Sequence, residues 1–218
     1  VTMRDGVELS ADIYLPEGAG PFPTVLMRTP YSNNTDLVIS KARRLANFGY
    51  ACVVQDSRGR WDSDGHYYPF VSDQEDGFDT QEWIAAQPWS TGRIGMSGGS
   101  YGGWVQWSSA VEASDHLTCT VPRVMCSDIY RLVHPGGATQ LNVLTTWGMR
   151  TNGRTGQSID FHDWTGALRS LPVIELDRVA GRDLQFWRDW TSPPADGDYW
   201  AGQRRSDHRS RLNAPPPL

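Results

Sequence analysis

Short apolar runs alternate along the first part of the chain with longer stretches whose apolar positions recur at helical spacing. Short runs bounded by turn-forming residues are typical of buried strands, and the longer periodic stretches are typical of amphipathic helices. The opening residues alternate around Asp5-Gly6, which predicts a hairpin of two antiparallel edge strands over residues 1–16. Buried strands are predicted over 22–28, 50–54, 93–97 and 117–124, and helices over 36–48, 73–87 and 104–113.

The alternation of strands and helices predicts an α/β fold with a doubly wound, mostly parallel sheet, because short helical crossovers join parallel neighbours. Residues 1–128 are expected to form this core. Residues 129–212 contain helix-compatible segments and many charges but no clear buried strand, which predicts a helical cap inserted over the sheet. Residues 213–218 are predicted to begin the next core strand, so the chain is expected to be truncated relative to a complete fold.

One segment carries a chemical signature. Gly98-Gly99-Ser100-Tyr101-Gly102 follows a predicted strand and precedes a predicted helix, which is the context of a nucleophile elbow. Glycines are needed there because the bend brings backbone segments close together, and the helix N-terminus points amides toward a developing oxyanion. Ser97 fits an overlapping Gly-x-Ser-x-Gly frame. It lies three residues further from the helix, so Ser100 is the preferred nucleophile.

Composition excludes several other classes of function. The 218 residues have a formal net charge of -5 and no basic stripe, which argues against nucleic-acid binding. No apolar run approaches the length of a membrane helix. The cysteines Cys52, Cys119 and Cys126 lack metal-ligand spacing, and Cys52 and Cys119 fall in predicted strands, so we expect buried free thiols. The five histidines form no metal signature, and no metal or organic cofactor is implied.

Several motifs, taken together and in order, resemble those of the CocE/NonD family of α/β-hydrolases, over about residues 1–140 and more loosely through the predicted cap. The resemblance implies an α/β-hydrolase fold and hydrolysis of a small-molecule ester or amide. The matching segments are Met3-Arg4-Asp5-Gly6-Val7, Ala11-Asp12-Ile13-Tyr14, Arg28-Thr29-Pro30-Tyr31, Gln55-Asp56-Ser57-Arg58-Gly59, the acidic helix start Asp73-x-Glu75-Asp76-x-x-Asp79, and Gly98-x-Ser100-Tyr101-x-Gly103.

The resemblance implies a role for individual residues. Ser100 matches the family nucleophile, the backbone N–H of Tyr101 matches one oxyanion donor, and the hydroxyl of Tyr31 matches the second. A phenol suits this task because it is neutral at pH 7 and presents one strong donor. The resemblance places His134 where such esterases have a pocket tryptophan, which implies a different substrate preference; a surface or hinge histidine is the alternative. Trp147 is expected to wall the acyl pocket, with packing within the predicted cap as the alternative.

The base and acid of a catalytic triad are not evident in the chain. In this fold the order is Ser, Asp, His, and the later histidines His116, His134, His162 and His208 fall in a turn or in the predicted cap. The neighbours Asp207 and His208 cannot readily align as acid and base behind one nucleophile. We therefore expect the acid and base beyond Leu218, and little or no esterase activity from these 218 residues alone.

Two hypotheses of function remain open at this stage, and a third is disfavoured. The first is a serine esterase, with X-prolyl dipeptidyl-peptidase or α-amino-acid ester hydrolase activity as alternatives within the same chemistry. The second is a non-catalytic hydrolase-like domain that binds a ligand or a partner. A dinucleotide-binding enzyme is disfavoured because residues 98–103 lack the Gly-x-Gly-x-x-Gly spacing.

Overall fold

A computed structural model describes residues 1–112, 114–160, 162–192 and 197–203. Its strands form a five-stranded sheet in the spatial order β1-β3-β2-β4-β5. The strand β1 is antiparallel to β3, and all other neighbours are parallel, which confirms the predicted mostly parallel sheet. The strands are β1 (Ala11–Tyr14), β2 (Phe22–Thr29), β3 (Ala51–Asp56), β4 (Ser90–Gly99) and β5 (Leu117–Arg123).

Helices cover both faces of the sheet, which makes it doubly wound. Successive residues of a strand point to opposite faces. Leu26 and Val53 therefore join a large core cluster with α2 (Asp73–Ala85) and α3 (Tyr101–Glu112). Their neighbours Met27 and Val54 pack instead against Ala42 of α1 (Asp36–Asn47).

The predicted N-terminal hairpin is wrong in its pairing. The turn at Asp5-Gly6 forms, with Gly6 at φ 85°, but it closes only one isolated antiparallel bridge between Thr2 and Glu8. The second predicted strand, β1, pairs with β3 of the main sheet. A strand that completes a sheet edge satisfies more backbone groups than an isolated hairpin does, so the tertiary pairing prevails.

The helix after the elbow begins at Tyr101, three residues before its predicted start at residue 104. Glycine is a poor helix former, and for this reason the sequence pattern excludes Gly102 and Gly103 from the helix. Tertiary packing nevertheless favours glycine within this helix, because a Cβ at position 103 would lie 3.0 Å from the carbonyl oxygen of Arg123. The end predicted at residue 113 lies outside the described residues.

Beyond Arg123, the residues that the structure describes form helices, turns and loops, in accord with a helical cap. An aromatic stack joins this region to the loop before α2 and to the start of α3: the ring of Phe70 lies 4.8 Å from Tyr101, 5.7 Å from Trp147 and 6.0 Å from Trp190, measured between centroids. The predicted strand start at 213–218 and the end of the cap lie outside the described residues. The helices are α4 (Ile129–Val133), α5 (Leu141–Thr151), α6 (Trp164–Ala167), α7 (Leu176–Val179), α8 (Gln185–Thr191) and α9 (Asp198–Ala201), with 3₁₀ turns at Pro135–Gly137 and Val173–Glu175.

The cysteines differ in their surroundings. Cys52 is buried between β1 and β2, and burial raises the pKa of its thiol to about 12, so it is an inert core residue. The expectation that Cys119 is buried is wrong, because its side chain is exposed on β5, which lies at the edge of the sheet. None of the described helices is long and apolar enough to cross a membrane.

A buried arginine joins the sheet to the start of α2. Arg28, near the end of β2, donates through Nε to Gln55 Oε1 at 2.8 Å and through Nη1 to the carbonyl of Asp73 at 2.9 Å. Its Nη2 lies 3.7 Å from a carboxylate oxygen of Asp76, a side chain that also binds Arg58. Acidic residues in a first helical turn are favoured by the helix dipole, and here they also face a buried cation.

A buried carboxylate holds the loop after β2. Asp56 ends β3, and its Oδ1 accepts the backbone N–H of Asn33 at 2.8 Å. Burial, with smaller contributions from the charges of Asp62 and Asp12, raises the pKa of Asp56 to about 7, although the hydrogen bond from Asn33 opposes the shift. The carboxylate thus fixes the loop that carries Tyr31 and is sensitive to pH near neutrality.

Arg28→Met should destabilise the protein strongly, because it leaves two buried carboxylates of α2 with less compensating charge. We expect a loss of about 3–5 kcal/mol in the free energy of unfolding. The matched control is Arg4→Met, which removes an exposed ion pair to Asp79 on the same helix and should cost at most about 1 kcal/mol. Urea unfolding followed by tryptophan fluorescence measures both; equal losses would contradict the proposed importance of Arg28.

Asp56 should make the protein less stable as pH rises from about 4 to about 8. The folded state binds this proton more tightly than the unfolded state, whose carboxyl has an ordinary pKa of 3.8, so stabilisation is lost as pH approaches 7. A pKa moved from 3.8 to about 7 corresponds to at most about 4 kcal/mol. Asp56→Asn keeps an acceptor for Asn33 and should remove this part of the dependence, whereas Asp62→Asn should largely retain it. The free energy of unfolding is measured at several pH values for each protein. If it depends on pH in the same way for wild type and Asp56→Asn, this assignment is wrong.

Candidate active site

Ser100 lies at the bend between β4 and α3. Its φ is 55°, a left-handed conformation that non-glycine residues adopt rarely and that is frequent at functional sites. The backbone is held on both sides: Ser100 N donates to the carbonyl of Arg123 at 3.0 Å, and Ser100 O accepts from Gly103 N at 2.8 Å. The bend therefore holds the serine at the end of the strand, at the start of the helix.

The bend requires glycine at one position in particular. A Cβ at Gly98 would lie 2.6 Å from the carbonyl oxygen of Gly102, closer than real contacts allow. At Gly102 the nearest contact would be 3.4 Å, to the carbonyl oxygen of Arg28. The Gly-x-Ser-x-Gly pattern is thus explained mainly by its first glycine, which permits β4 and α3 to approach each other.

Ser97 occupies a different environment from Ser100. It lies within β4, and its Oγ accepts from Lys41 Nζ at 3.2 Å on the face covered by α1. Burial lowers the pKa of Lys41, and the charge of Arg123 lowers it further. The choice of Ser100 over Ser97 made from the sequence therefore agrees with the position of Ser100 at the strand-to-helix bend.

Tyr31 approaches Ser100 from the turn after β2. Its hydroxyl lies 3.4 Å from Ser100 Oγ, and its backbone N–H donates to Thr29 Oγ1 at 3.0 Å. Trp147 Nε1 donates to the Tyr31 hydroxyl oxygen at 3.0 Å. An indole N–H is a donor only, so the phenol accepts from Trp147, and its own proton is available for Ser100 or for an oxygen atom beside it.

The side chain of Tyr101 has a function that the sequence analysis did not identify. Its hydroxyl donates to Asp73 Oδ2 at 2.7 Å and accepts the backbone N–H of Phe70 at 2.9 Å. Burial raises the pKa of Tyr101 well above its ordinary value, and the neighbouring charge of Asp73 raises it further. The first residue of α3 is thus tied to the acidic start of α2. The backbone N–H of Tyr101 lies in the first turn of α3, where amides have no hydrogen-bond partner within the helix. The acidic motif at 73–79 was the only sequence signal that pointed to this contact.

A small apolar cavity of about 130 Å³ opens beside Ser100. Its described lining contains no charged side chain, histidine or carboxylate. Val124, an exposed lining residue, has a φ of 52°, which is strained for a β-branched residue. The lining residues are Tyr31, Phe70, Ser100, Tyr101, Val124, Met125, Leu132, Val143, Leu144 and Trp147.

His134 does not line this cavity. Its Nε2 lies 2.9 Å from the carbonyl oxygen of Trp190, and its Nδ1 lies 3.1 Å from Thr139 Oγ1. Its ring also packs against Tyr130 and Trp200. Both ring nitrogens of His134 are thus engaged by residues that follow β5, and the geometry gives no support to a substrate contact by His134.

The other described histidines also lie outside the cavity. His116 Nδ1 is 3.0 Å from the carbonyl oxygen of Gly92, and the ring of His162 packs edge-on against Trp164. The pair Asp207 and His208 lies outside the described residues. The described part of the chain contains no cluster of His, Cys, Asp and Glu side chains suited to a metal ion.

Comparison with known sequences identifies relatives that are esterases. The chain is 35% identical over 222 positions to the cocaine esterase of Rhodococcus sp. (strain MB1 Bresler). The aligned region covers 91% of this chain and 38% of the esterase. A putative serine esterase of Mycobacterium bovis is 29% identical over 226 positions, covering 91% of this chain and 35% of that protein. The chain therefore spans little more than a third of the length of these relatives.

Comparison with solved structures confirms the predicted fold. An α-amino acid ester hydrolase superposes with a TM-score of 0.77 at 26% identity, covering 97% of this chain and 39% of that one. An aminopeptidase from a Thaumarchaeota archaeon of marine sediment superposes with a TM-score of 0.80 at 23% identity, covering 100% and 41%. A CocE/NonD family hydrolase from Staphylococcus aureus covers 99% of this chain and 38% of that one, with a TM-score of 0.65 at 21% identity.

The family model for X-Pro dipeptidyl-peptidase (S15 family) matches residues 5–216, nearly the whole chain. This match confirms the resemblance inferred from the motifs, and the chain belongs to the S15, or CocE/NonD, family of α/β-hydrolases.

Proposed function

We propose that the protein is a serine hydrolase that cleaves carboxylic esters through an acyl-enzyme on Ser100. One observation carries the proposal. Ser100 lies at a strand-to-helix bend in the left-handed backbone conformation, and the hydroxyl oxygen of Tyr31 lies 3.4 Å from its Oγ. The Rhodococcus relative is named a cocaine esterase, which favours ester chemistry. Amides form the second substrate class of the same mechanism.

In the proposed reaction, Ser100 Oγ attacks the carbonyl carbon of the ester and its proton passes to a general base. The carbonyl oxygen becomes an oxyanion that accepts hydrogen bonds from the Tyr31 hydroxyl and from the backbone N–H of Tyr101. Collapse of this intermediate expels the alcohol, which takes up the proton held by the base. Water then attacks the acyl group by the reverse sequence of proton transfers and releases the acid.

The general base and its carboxylate are assigned to residues that do not line the described cavity. We propose that they follow Leu218, because the order in this fold is Ser, Asp, His and the described histidines lie outside the cavity. Loss of a triad base costs several orders of magnitude in rate, so these 218 residues alone are expected to turn over esters poorly.

The cavity favours an uncharged, apolar acyl group. Its described lining presents aromatic and aliphatic surface and no carboxylate that would bind an ammonium group. The second candidate, X-prolyl dipeptidyl-peptidase activity, is favoured by the description of the family model. It requires recognition of a free amino terminus, so comparing p-nitrophenyl benzoate with Ala-Pro-p-nitroanilide as substrates separates the two activities.

Ser100→Ala in the full-length protein should abolish turnover of p-nitrophenyl esters and labelling by a fluorophosphonate, because only an activated serine reacts with that probe. Ser97→Ala is the matched control, since Ser97 is three residues away on β4 and should leave both signals intact. Labelling that survives in Ser100→Ala would refute the assignment. A wild-type protein that is neither labelled nor active would favour the non-catalytic, ligand-binding alternative.

Tyr31→Phe should lower kcat for the ester by about 10²–10³-fold, the usual cost of removing one oxyanion donor. Trp147→Phe keeps an aromatic ring but removes the N–H that binds the Tyr31 oxygen, so a smaller loss of about 2- to 10-fold is expected. Trp164→Phe is the control, because its indole N–H binds the carbonyl of Ile159. Steady-state kinetics test the series, and an unchanged kcat in Tyr31→Phe would exclude the phenol from the oxyanion site.

A further inference from the structure

Arg60 is a buried cation bound to the backbone of two separate segments. Its side chain belongs to the core, and its Nε donates to the carbonyl of Pro30 at 2.9 Å. Its Nη1 donates to the carbonyls of Thr151 at 2.6 Å and Thr155 at 3.2 Å, and also to that of Gly153. One guanidinium therefore joins the turn after β2 to the segment that follows α5.

The next residue reinforces both attachments. Trp61 Nε1 donates to the same carbonyl of Pro30 at 3.1 Å, and the backbone N–H of Trp61 donates to the carbonyl of Arg154 at 2.6 Å. The φ of Trp61 is 50°, which is rare for a bulky residue and persists only where surrounding contacts enforce it. Residues 60 and 61 thus act together on the same two segments.

A guanidinium is chemically suited to this position. The helix α5 ends at Thr151, and the last carbonyls of a helix lack partners within it and carry the negative end of its dipole. Arginine supplies several N–H donors in a fixed planar arrangement, so it can bind carbonyls on two sides at once. The aromatic rings of Tyr67 and Trp61 lie 5.1 Å and 5.9 Å from its central carbon and provide further contact for the cation.

The two segments that Arg60 joins carry the two side chains that meet at Ser100. Pro30 directly precedes Tyr31, and the Thr151 hydroxyl donates to the carbonyl of Trp147 at 2.9 Å, one turn earlier in α5. Trp147 in turn donates to the Tyr31 hydroxyl. The contacts therefore form a closed ring that runs from Arg60 through Pro30, Tyr31, Trp147 and Thr151 back to Arg60.

We infer that Arg60 is a positioning residue: it holds the turn of Tyr31 and the end of α5 at the separation at which Trp147 orients the Tyr31 hydroxyl toward Ser100. The inference rests on the proposed function, because the orientation matters for catalysis only if Tyr31 binds an oxyanion. Arg60 does not touch the reacting atoms. Its effect on the rate must therefore pass through Tyr31.

The kinetic test is a double-mutant cycle in the full-length enzyme. Arg60→Met should lower kcat for p-nitrophenyl benzoate by about 10- to 100-fold, the effect of a small misplacement, with a change in KM of less than about threefold. In a Tyr31→Phe background the same substitution should have almost no further effect on kcat. Arg60→Lys, which keeps a cationic donor, should recover part of the loss, and Trp61→Phe, a milder change, should give a smaller loss with the same non-additivity.

Hydrogen–deuterium exchange provides a readout that does not depend on activity. In Arg60→Met, peptides that cover residues 29–33 and 151–155 should both exchange at least about tenfold faster, while peptides of the central strands remain unchanged. Arg154→Met is the matched control: its side chain is exposed and only its backbone carbonyl binds Trp61, so exchange and kcat should match those of the wild type.

Each outcome decides the inference. Faster exchange in both segments together with non-additive kinetics supports it. Unchanged exchange, or an equal loss of kcat in the Tyr31→Phe background, overturns it. A wild-type enzyme without Ser100-dependent turnover overturns the proposed function and the catalytic role of Arg60 with it. That failure is recognised in the wild type, before any variant of Arg60 is compared.

Discussion

The buried guanidinium of Arg28 is the contact on which the geometry of the site depends. It binds Gln55 on the neighbouring strand and the first turn of α2, where Asp73 and Asp76 face it. A charge removed from water is tolerated only when opposite charges and hydrogen bonds surround it, so these groups have little freedom to move apart. Asp73 then accepts the hydroxyl of Tyr101, and through this bond the same cluster sets the start of α3 beside Ser100.

Both proposed oxyanion donors belong to the α/β core, but one of them is contacted by a residue outside it. The Tyr101 amide belongs to the α/β core, whereas the Tyr31 hydroxyl is contacted by Trp147 from the region after the last described strand. The stack of Phe70 with Tyr101, Trp147 and Trp190 joins the two regions through apolar contact. The helical region therefore contributes a hydrogen bond to the phenol that we propose as one donor.

The local sequence pattern predicts the strands and bends that form from neighbouring apolar or turn-forming residues. The strand β3 is buried along its whole length and is evident as an apolar run, and the bend at Ser100 is evident from its glycines. The predictions fail where partners distant in sequence decide. The strand β1 pairs with β3 instead of with residues 1–9, and α3 includes Gly103 because a Cβ there would approach Met125 and Arg123 too closely. The exposure of Cys119 likewise depends on its position at a sheet edge.

For the site, the sequence by itself determined that a serine lies on a glycine-lined bend between a strand and a helix, since adjacent residues form that bend. It also placed Tyr31 in the turn after an early strand. Only the tertiary structure decided that Tyr31 and Trp147 meet at Ser100, that Tyr101 binds Asp73, and that His134 bonds within the cap. These contacts join residues separated by many positions, and their geometry follows from how the sheet, the helices and the buried charges pack together.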